Sequence, residues 1–497
     1  MGTKITYLLL FLSFLLNFSG CTESEKQSGD KLNVLFIAID DLRPELGCYG
    51  ADYIKSPNID KLASSGIVFT NHFVQVPTCG ASRFSMLTGM LPKTTSHLSN
   101  EACHKYISGQ SETDKPETFI HHLRRNGYYT VGIGKISHYA DGLLYAYTDP
   151  VGTERELPYS WDELVFNSGK WGTGWNAFFG YANGENRQSL NKQVKPYEMG
   201  NVDDTGYPDG LTAELAIKKL KELSVKGKPF FLGVGFFKPH LPFNSPKKYW
   251  DLYDENEIPL APYPDIPENV NITSLHNSGE FNGYKRGKEK PSINHPVSDE
   301  YARKIRHAYF ASISYIDAQV GKLLDELETE GLAENTIVVI WGDHGWHLGD
   351  QRMWGKHTIF ERALKSAFII KAPTLSSGGT KVNKVVSAID IYPTLIELCG
   401  VKMPCETDGK SLVSIMKNPV LQHWENVSYG YFKKGISLRT DKYRLTRYFR
   451  KQEPVIELYD HQTDPYESKN IAAENPEIVE QLMPLLEKGN TGLYNTQ

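Results

Sequence analysis

The side chains able to do chemistry fall into a few short clusters. Cys79-Gly80-Ala81-Ser82-Arg83 places a thiol four residues before a guanidinium. On a helix that spacing puts both on one face, one turn apart. Asp40-Asp41 and Asp343 supply three hard oxygen donors, and with Cys79 and His344 they form the candidate metal set. Carboxylate oxygens suit a divalent cation of the Ca²⁺ kind. An imidazole is a less typical Ca²⁺ ligand, so His344 loosens that identity. Lys135 with His138, Lys238-Pro239-His240 and Lys356 add cationic groups, and histidine is the side chain suited to giving up a proton near neutral pH. Each cluster has a plainer reading. Cys79 could be a structural thiol at a helix start, Asp40-Asp41 a helix cap, and any one Lys or His a solvated surface group.

The elements that must position these groups follow from the hydrophobic pattern. Residues 32–39 are apolar except Asn33 and end in Asp40-Asp41, as expected of a parallel strand buried on both faces. A helix begins at Ser56-Pro57, with Pro at its first position and Ile59, Leu62 and Ala63 on one face. Helices over 118–126, 211–223 and 301–330 alternate with strands over 129–133, 230–236 and 336–341. The strands end at Gly134-Lys135, Lys238-Pro239-His240 and Gly342-Asp343-His344. This predicts a doubly wound α/β sheet, with the polar clusters along the edge where such sheets bind ligands. After residue 417 the pattern changes to short strands over 427–432, 435–440, 443–448 and 456–460, then a helix over 477–486. Those elements predict a small antiparallel subdomain over 418–497. Residues 258–296, rich in Pro, Asn and Gly, read as a long surface loop near the site.

The chain has 497 residues and a formal net charge of −5, which argues against a surface that coats nucleic acid. A local pocket can still take an anionic substrate. Residues 1–20 read as an export signal: Lys4, an apolar run over 5–18, then Ser19-Gly20-Cys21. That ending is similar to a bacterial lipobox, which implies a lipid anchor on Cys21, a tether over 21–31 and a membrane-attached protein of the periplasm or cell surface. A cleaved signal with an incidental Cys21 is the plainer alternative. Of the 6 cysteines, those other than Cys21 are odd in number and cannot all pair within the chain. Cys399 and Cys405 could bridge a loop, Cys48 and Cys103 could be buried thiols, and Cys79 remains.

Cys79-Gly80-Ala81-Ser82-Arg83, followed by Leu87-Thr88-Gly89, resembles the sulfatase signature, which directs oxidation of the Cys to formylglycine by a maturation enzyme. Ile39-Asp40-Asp41-Leu42-Arg43-Pro44, Ser56-Pro57-Asn58-Ile59-Asp60, Lys238-Pro239-His240-Leu241-Pro242-Phe243, Tyr309-Phe310-Ala311-Ser312-Ile313-Ser314-Tyr315 and Asp343-His344-Gly345-Trp346 resemble iduronate-2-sulfatases, within the sulfatase and alkaline-phosphatase superfamily. The resemblance implies an α/β fold: an alkaline-phosphatase-like α/β/α sandwich over 32–417, with the smaller antiparallel-sheet subdomain after it. It implies one Ca²⁺ and a hydrated aldehyde at residue 79, one hydroxyl attacking sulfur and the other expelling sulfate by elimination. It further implies that Arg83 holds a hydroxyl of residue 79, that Lys135 and Lys356 clamp sulfate oxygens, that His138 supports the formylglycine, and that His240 protonates the leaving alcohol. Many sulfatases carry Asn where His344 stands.

The implied substrate is a sulfated glycan, attacked by exo action at a 2-O-sulfated uronate, or an algal polysaccharide such as ulvan. Residues 139–210 depart from the family pattern; they and residues 258–296 are expected to supply substrate contacts, with His104, His347 and His357 as further candidates. Two alternatives stand beside this reading: a phosphonate or phosphate ester hydrolase of the same superfamily, and a non-catalytic surface glycan-binding protein.

Overall fold

A strand that is apolar on both faces can be satisfied only between two layers, and the first strand sets that arrangement. The computed structural model describes residues 31–108, 117–375 and 378–494; the expected signal, Cys21 and the tether as far as residue 30 lie outside them. In strand β1 (Asn33–Ile39), Leu35, Ile37 and Ile39 join one core, while Val34, Phe36 and Ala38 join the opposite one. All six are fully buried, and each large one contributes roughly 1.5–3 kcal/mol by leaving water.

The sheet has eight strands. They are β1, β2 (Ile67–Phe73), β3 (Tyr129–Gly134), β4 (Glu163–Val165), β5 (Phe230–Phe236), β6 (Thr336–Gly342), β7 (Phe368–Lys371) and β8 (Thr380–Ser387). Their spatial order is β8-β2-β7-β6-β1-β5-β3-β4. β7 runs antiparallel to both its neighbours, and the other pairings are parallel. Helices cover both faces: α1 (Pro57–Ser65) and the long Asp299–Thr329 helix on one, Phe119–Arg125 and Ile391–Leu398 on the other. The mixed, two-sided sheet agrees with the expected α/β/α architecture. Strands β2, β4, β7 and β8 are additions that the hydrophobic pattern did not predict.

Beyond it, β9 (Ser428–Phe432), β10 (Gly435–Arg439), β11 (Tyr443–Tyr448) and β12 (Ile456–Asp460) pair in antiparallel order. The helix Pro476–Lys488 lays Leu486 into their core. Here the expected elements and the observed ones differ by a residue or two at their ends. Residues 258–296 are largely irregular but not simply surface: Phe281 and Tyr284 are buried, and two short helical turns, Ile272–Ser274 and Gly279–Asn282, form inside the segment. Cys399 and Cys405 are not bridged, Cys103 is buried, and Cys48 is partly buried.

Four adjacent parallel strands, β6-β1-β5-β3, end level with one another. Ile39 pairs with Gly342 on one side and Phe236 on the other, and Gly134 pairs with Gly235. The next residues along each chain are therefore delivered to one line of the sheet edge.

Candidate active site

That line carries Asp343-His344, Asp40-Asp41, Lys238-Pro239-His240 and Lys135-Ile136-Ser137-His138. No helix starts at Asp40-Asp41, which removes the capping alternative. Asp41 instead takes a left-handed backbone (φ 63°), a conformation that is sparsely populated for residues other than Gly and Asn. The turn is held from the long helix: the Tyr309 hydroxyl donates to the Asp41 carbonyl at 2.7 Å and accepts from Arg43 N–H at 3.2 Å.

Cys79 opens the α2 helix (Cys79–Thr88), every residue of which is buried. Gly80 allows it to sit there, because a Cβ would come within 2.1 Å of the Asn100 carbonyl. The positive end of the helix dipole thus points at residue 79. The Cys79 Sγ, which stands where the oxygens of a modified side chain would be, lies 3.4 Å from Asp40 Oδ1, 3.2 Å from His344 Nε2 and 3.3 Å from Lys356 Nζ. Burial and then the Asp40 charge push its thiol up to about 12. One turn along, Arg83 binds Asp343 through Nε at 2.9 Å and donates to the Lys135 and Ile136 carbonyls.

The cations are held by the carboxylates. Lys135 Nζ is 2.5 Å from Asp40 Oδ2, and Lys356 Nζ is 2.9 Å from Asp41 Oδ1. Burial disfavours both ammonium groups, but Asp40 overrides it at Lys135 and Asp41 at Lys356, so both stay charged. The Phe178 ring lies 4.3 Å from Lys135 Nζ and the Trp346 ring 5.2 Å from Lys356 Nζ. Asp40 is held well below the usual carboxylate range: burial opposes this, and Lys135, His240 and Arg83 prevail. Asp41 goes the other way, pushed up by burial with Asp40 and Cys79 adding to it.

Atoms of Asp40, Asp41, Cys79 and His240 gather within 4.8 Å of one another, as do those of Asp40, Cys79, Asp343 and His344. His344 Nδ1 is 3.2 Å from Asp41 Oδ1, and the Asp41 N–H donates to Asp343 Oδ1 at 3.0 Å. Asp41 Oδ2 is buried and has no hydrogen-bond partner; His240 Nε2 lies 3.9 Å from it. Three converging carboxylates with one oxygen left over fit an oxygen-liganded divalent cation.

His240 stands across the site. Its Nδ1 is 2.6 Å from the Leu241 carbonyl and its Nε2 is 3.1 Å from Glu280 Oε1. Burial, with repulsion from Lys356, pushes its imidazole down to about 4, against the pull of Asp40 and Glu280. Lys238 fixes the loop by donating to the His240 and Pro242 carbonyls, each at 2.8 Å. His138 is buried, with Nδ1 unpartnered and its ring 5.4 Å from Trp175. Burial and then Lys135 hold it neutral.

The remaining histidine candidates diverge. His347 is a core residue bound to Thr358 Oγ1 at 2.8 Å. His104 lies on the short helical segment His104–Ser108. His357 stacks on Phe432 at 5.7 Å, and burial pushes its imidazole down to about 3 against the pull of Glu280. Glu280 itself was not foreseen. It bridges His240 and Lys356, the latter at 3.5 Å, from an irregular segment in which a lone Glu carries no motif.

The family model described as Sulfatase matches residues 32–401, and one for the C-terminal part of N-sulphoglucosamine sulphohydrolase matches 342–491. The chain is 32% identical to human iduronate 2-sulfatase over 432 residues, covering 81% of this chain and 75% of that protein. It is 32% identical to a sulfatase of Formosa agariphila over 493 residues, covering 94% and 89%. Among solved structures, a phosphonate monoester hydrolase from Silicibacter pomeroyi shares the fold, with a TM-score of 0.70 at 21% identity over 92% of this chain and 96% of that one. Family coverage of most of the chain, together with a cysteine opening a helix among three carboxylates and three cations, establishes that this protein belongs to the sulfatase family and is a sulfuric ester hydrolase resembling iduronate 2-sulfatase.

Proposed function

We propose that the protein releases sulfate from the 2-O-sulfated uronate of a glycan end, or from a related sulfated polysaccharide, using formylglycine at position 79 and a bound Ca²⁺. The observation that carries this reading is the placement of residue 79. It is buried at a helix N-terminus and lies within 3.5 Å of a carboxylate, an imidazole and an ammonium on three other segments.

The cation would be held by Asp40, Asp41, Asp343 and His344, with the residue 79 side chain beside it. A hydrated formylglycine supplies a nucleophilic hydroxyl and a second hydroxyl able to expel sulfate, and the cation supplies positive charge against the sulfate oxygens. The chain's own residues do the rest. Lys135 and Lys356, already charged and desolvated, neutralise sulfate oxygens more strongly than they would in water. Arg83, fixed by Asp343, holds its charge behind residue 79. His138, held neutral with an unpartnered Nδ1, can make a hydrogen bond to a formylglycine hydroxyl there. His240 has acceptors at both nitrogens, the Leu241 carbonyl and Glu280; burial keeps the ring neutral in the resting site, and the charge of an arriving anionic substrate adds to the pull of Glu280 toward the doubly protonated ring. From Nε2 it can give one to the departing alcohol.

The experiment is a panel of defined sulfated oligosaccharides, with aryl phosphonate and aryl phosphate esters in parallel because the fold also serves phosphonate hydrolysis. Sulfate release from a terminal 2-O-sulfated uronate is expected. Release only from sulfated rhamnose or galactose would replace the sugar and keep the reaction. Faster turnover of the phosphonate ester would overturn the assignment.

A further inference from the structure

The two segments that depart from family pattern or regular structure meet beside the site. The Lys285 N–H donates to the Lys192 carbonyl at 2.9 Å and the Arg286 N–H to the Val194 carbonyl at 3.0 Å. Their junction brings together Arg187 and Tyr284. The Arg187 guanidinium carbon lies 3.6 Å from the centroid of the Phe179 ring and 5.3 Å from that of Tyr284. Its Nε is buried and has no hydrogen-bond acceptor. Arg187 as a whole is partly buried, whereas the buried arginines Arg43, Arg83, Arg306, Arg439 and Arg444 each lie against a carboxylate. Among the described residues, none plays that part for Arg187. The Tyr284 side chain is fully buried; its hydroxyl faces the Arg187 guanidinium as a weak partner and has no other, and the Glu280 and Lys356 charges also act on it.

One aromatic layer separates this pair from the catalytic groups. Phe179 carries Arg187 on its ring and lies 6.4 Å from His240. The adjacent Phe178 touches His240 at 4.6 Å and flanks Lys135. Tyr147, which is 40% exposed, packs its ring edge-on against Phe179 at 5.5 Å and against Trp175 at 4.7 Å. The pair therefore borders the opening of the site. A guanidinium stacked on a ring keeps its edge for two parallel hydrogen bonds to an oxyanion. Burying donors without acceptors is costly unless a ligand supplies them.

We infer that Arg187 and the Tyr284 hydroxyl form a subsite for a second anionic group of the substrate, a carboxylate or a second sulfate, on the sulfated sugar or its neighbour. The inference rests on the glycan sulfatase reading above. It makes Arg187 a specificity determinant, distinct from the groups around residue 79.

The test compares kcat/KM of the parent, Arg187→Met, Arg187→Lys and Tyr284→Phe enzymes on three versions of one sulfated disaccharide. One is intact, one has its uronate carboxyl reduced to an alcohol, and one lacks any second sulfate. Arg187→Met is expected to lose roughly 10–100-fold on the version bearing the recognised anion, mainly through KM. Removing that anion from the substrate should cost the parent a similar factor and cost Arg187→Met little, and the arm showing this non-additivity names the group. Arg187→Lys should lose less, and Tyr284→Phe a few-fold with the same arm dependence. Equal factors lost on all three versions would mean that Arg187 only packs against Phe179, and would overturn the subsite. A parent enzyme that frees sulfate from none of them would instead overturn the glycan reading, and the subsite with it.

Discussion

Two buried charge clusters in this molecule have opposite designs. Where the antiparallel sheet meets the main sheet, Glu361 lies against Arg439 at 3.0 Å and Arg444 at 2.5 Å, and Glu467 against Arg444 at 2.6 Å and His461 at 3.2 Å. Every buried polar side-chain atom of these five residues has a partner. At the active site, Asp41 Oδ2 and His138 Nδ1 are buried without one, and Asp41 sits in a disfavoured backbone conformation. Both clusters contain His, Glu or Asp close enough to suggest a metal, yet only one has donors to spare. Two guanidinium groups neutralise the structural cluster, whereas the catalytic one leaves capacity for a ligand. A closed network holds a joint, and an open one binds something.

Breaking the comparison at residue 79 should give the largest effect. Cys79→Ala is expected to lower sulfate release by at least about four orders of magnitude while costing only about 1 kcal/mol of stability. Thermal unfolding and turnover on the same preparation check this, against parent protein whose peptide mass reports conversion of the CH₂SH side chain to the aldehyde. Turnover within tenfold of the parent would remove residue 79 from the mechanism.

The structural cluster should respond in the reverse sense. Glu361→Gln strands two guanidinium groups and is expected to cost about 3–5 kcal/mol, read as a fall in Tm. Glu361 and Glu467 are held below their ordinary value of 4.5, because their arginine partners, with His461, outweigh burial. Their stabilisation is therefore complete above pH 4.5 and lost as the pH falls below it. Acid titration of the parent should show this loss, with a shallower slope in Glu361→Gln. Identical slopes would mean that the joint does not depend on Glu361 ionisation.

The smallest effect should come from Glu280→Gln, which keeps the shape beside His240 and removes the charge. A roughly tenfold fall in kcat is expected on alkyl sulfates of sugars, shrinking on aryl sulfates whose leaving group needs no proton. Equal losses on both classes would assign Glu280 to structure alone.

Much of this was legible in the sequence because buried strands are long apolar runs with polar ends. Residues 32–39, 129–133, 230–236 and 336–341 could be read as strands, and their tips named Asp40, Asp41, Lys135, His240 and Asp343. Strands β7 and β4, with four residues and three, were too short for a periodic signal, and β2 and β8 mix polar residues into their runs. Lys356 could be named but not placed, since its position depends on the hairpin of His347–Leu348 and Trp354–Gly355. Glu280, Arg187 and Tyr284 lie in segments without periodicity, where local pattern carries no information about neighbours.

Sequence alone set the reaction class, through a resemblance to the sulfatase signature, since a Cys-x-Ala-x-Arg segment and acidic strand tips are local properties of the chain. Only the tertiary structure decided which groups share one space. Sheet register aligns four strand ends, and long-range packing folds two irregular segments over them. Those contacts join residues from 39 to 302 positions apart in the cases of Asp40 with Cys79 and Asp41 with Asp343, and no short stretch of sequence encodes them.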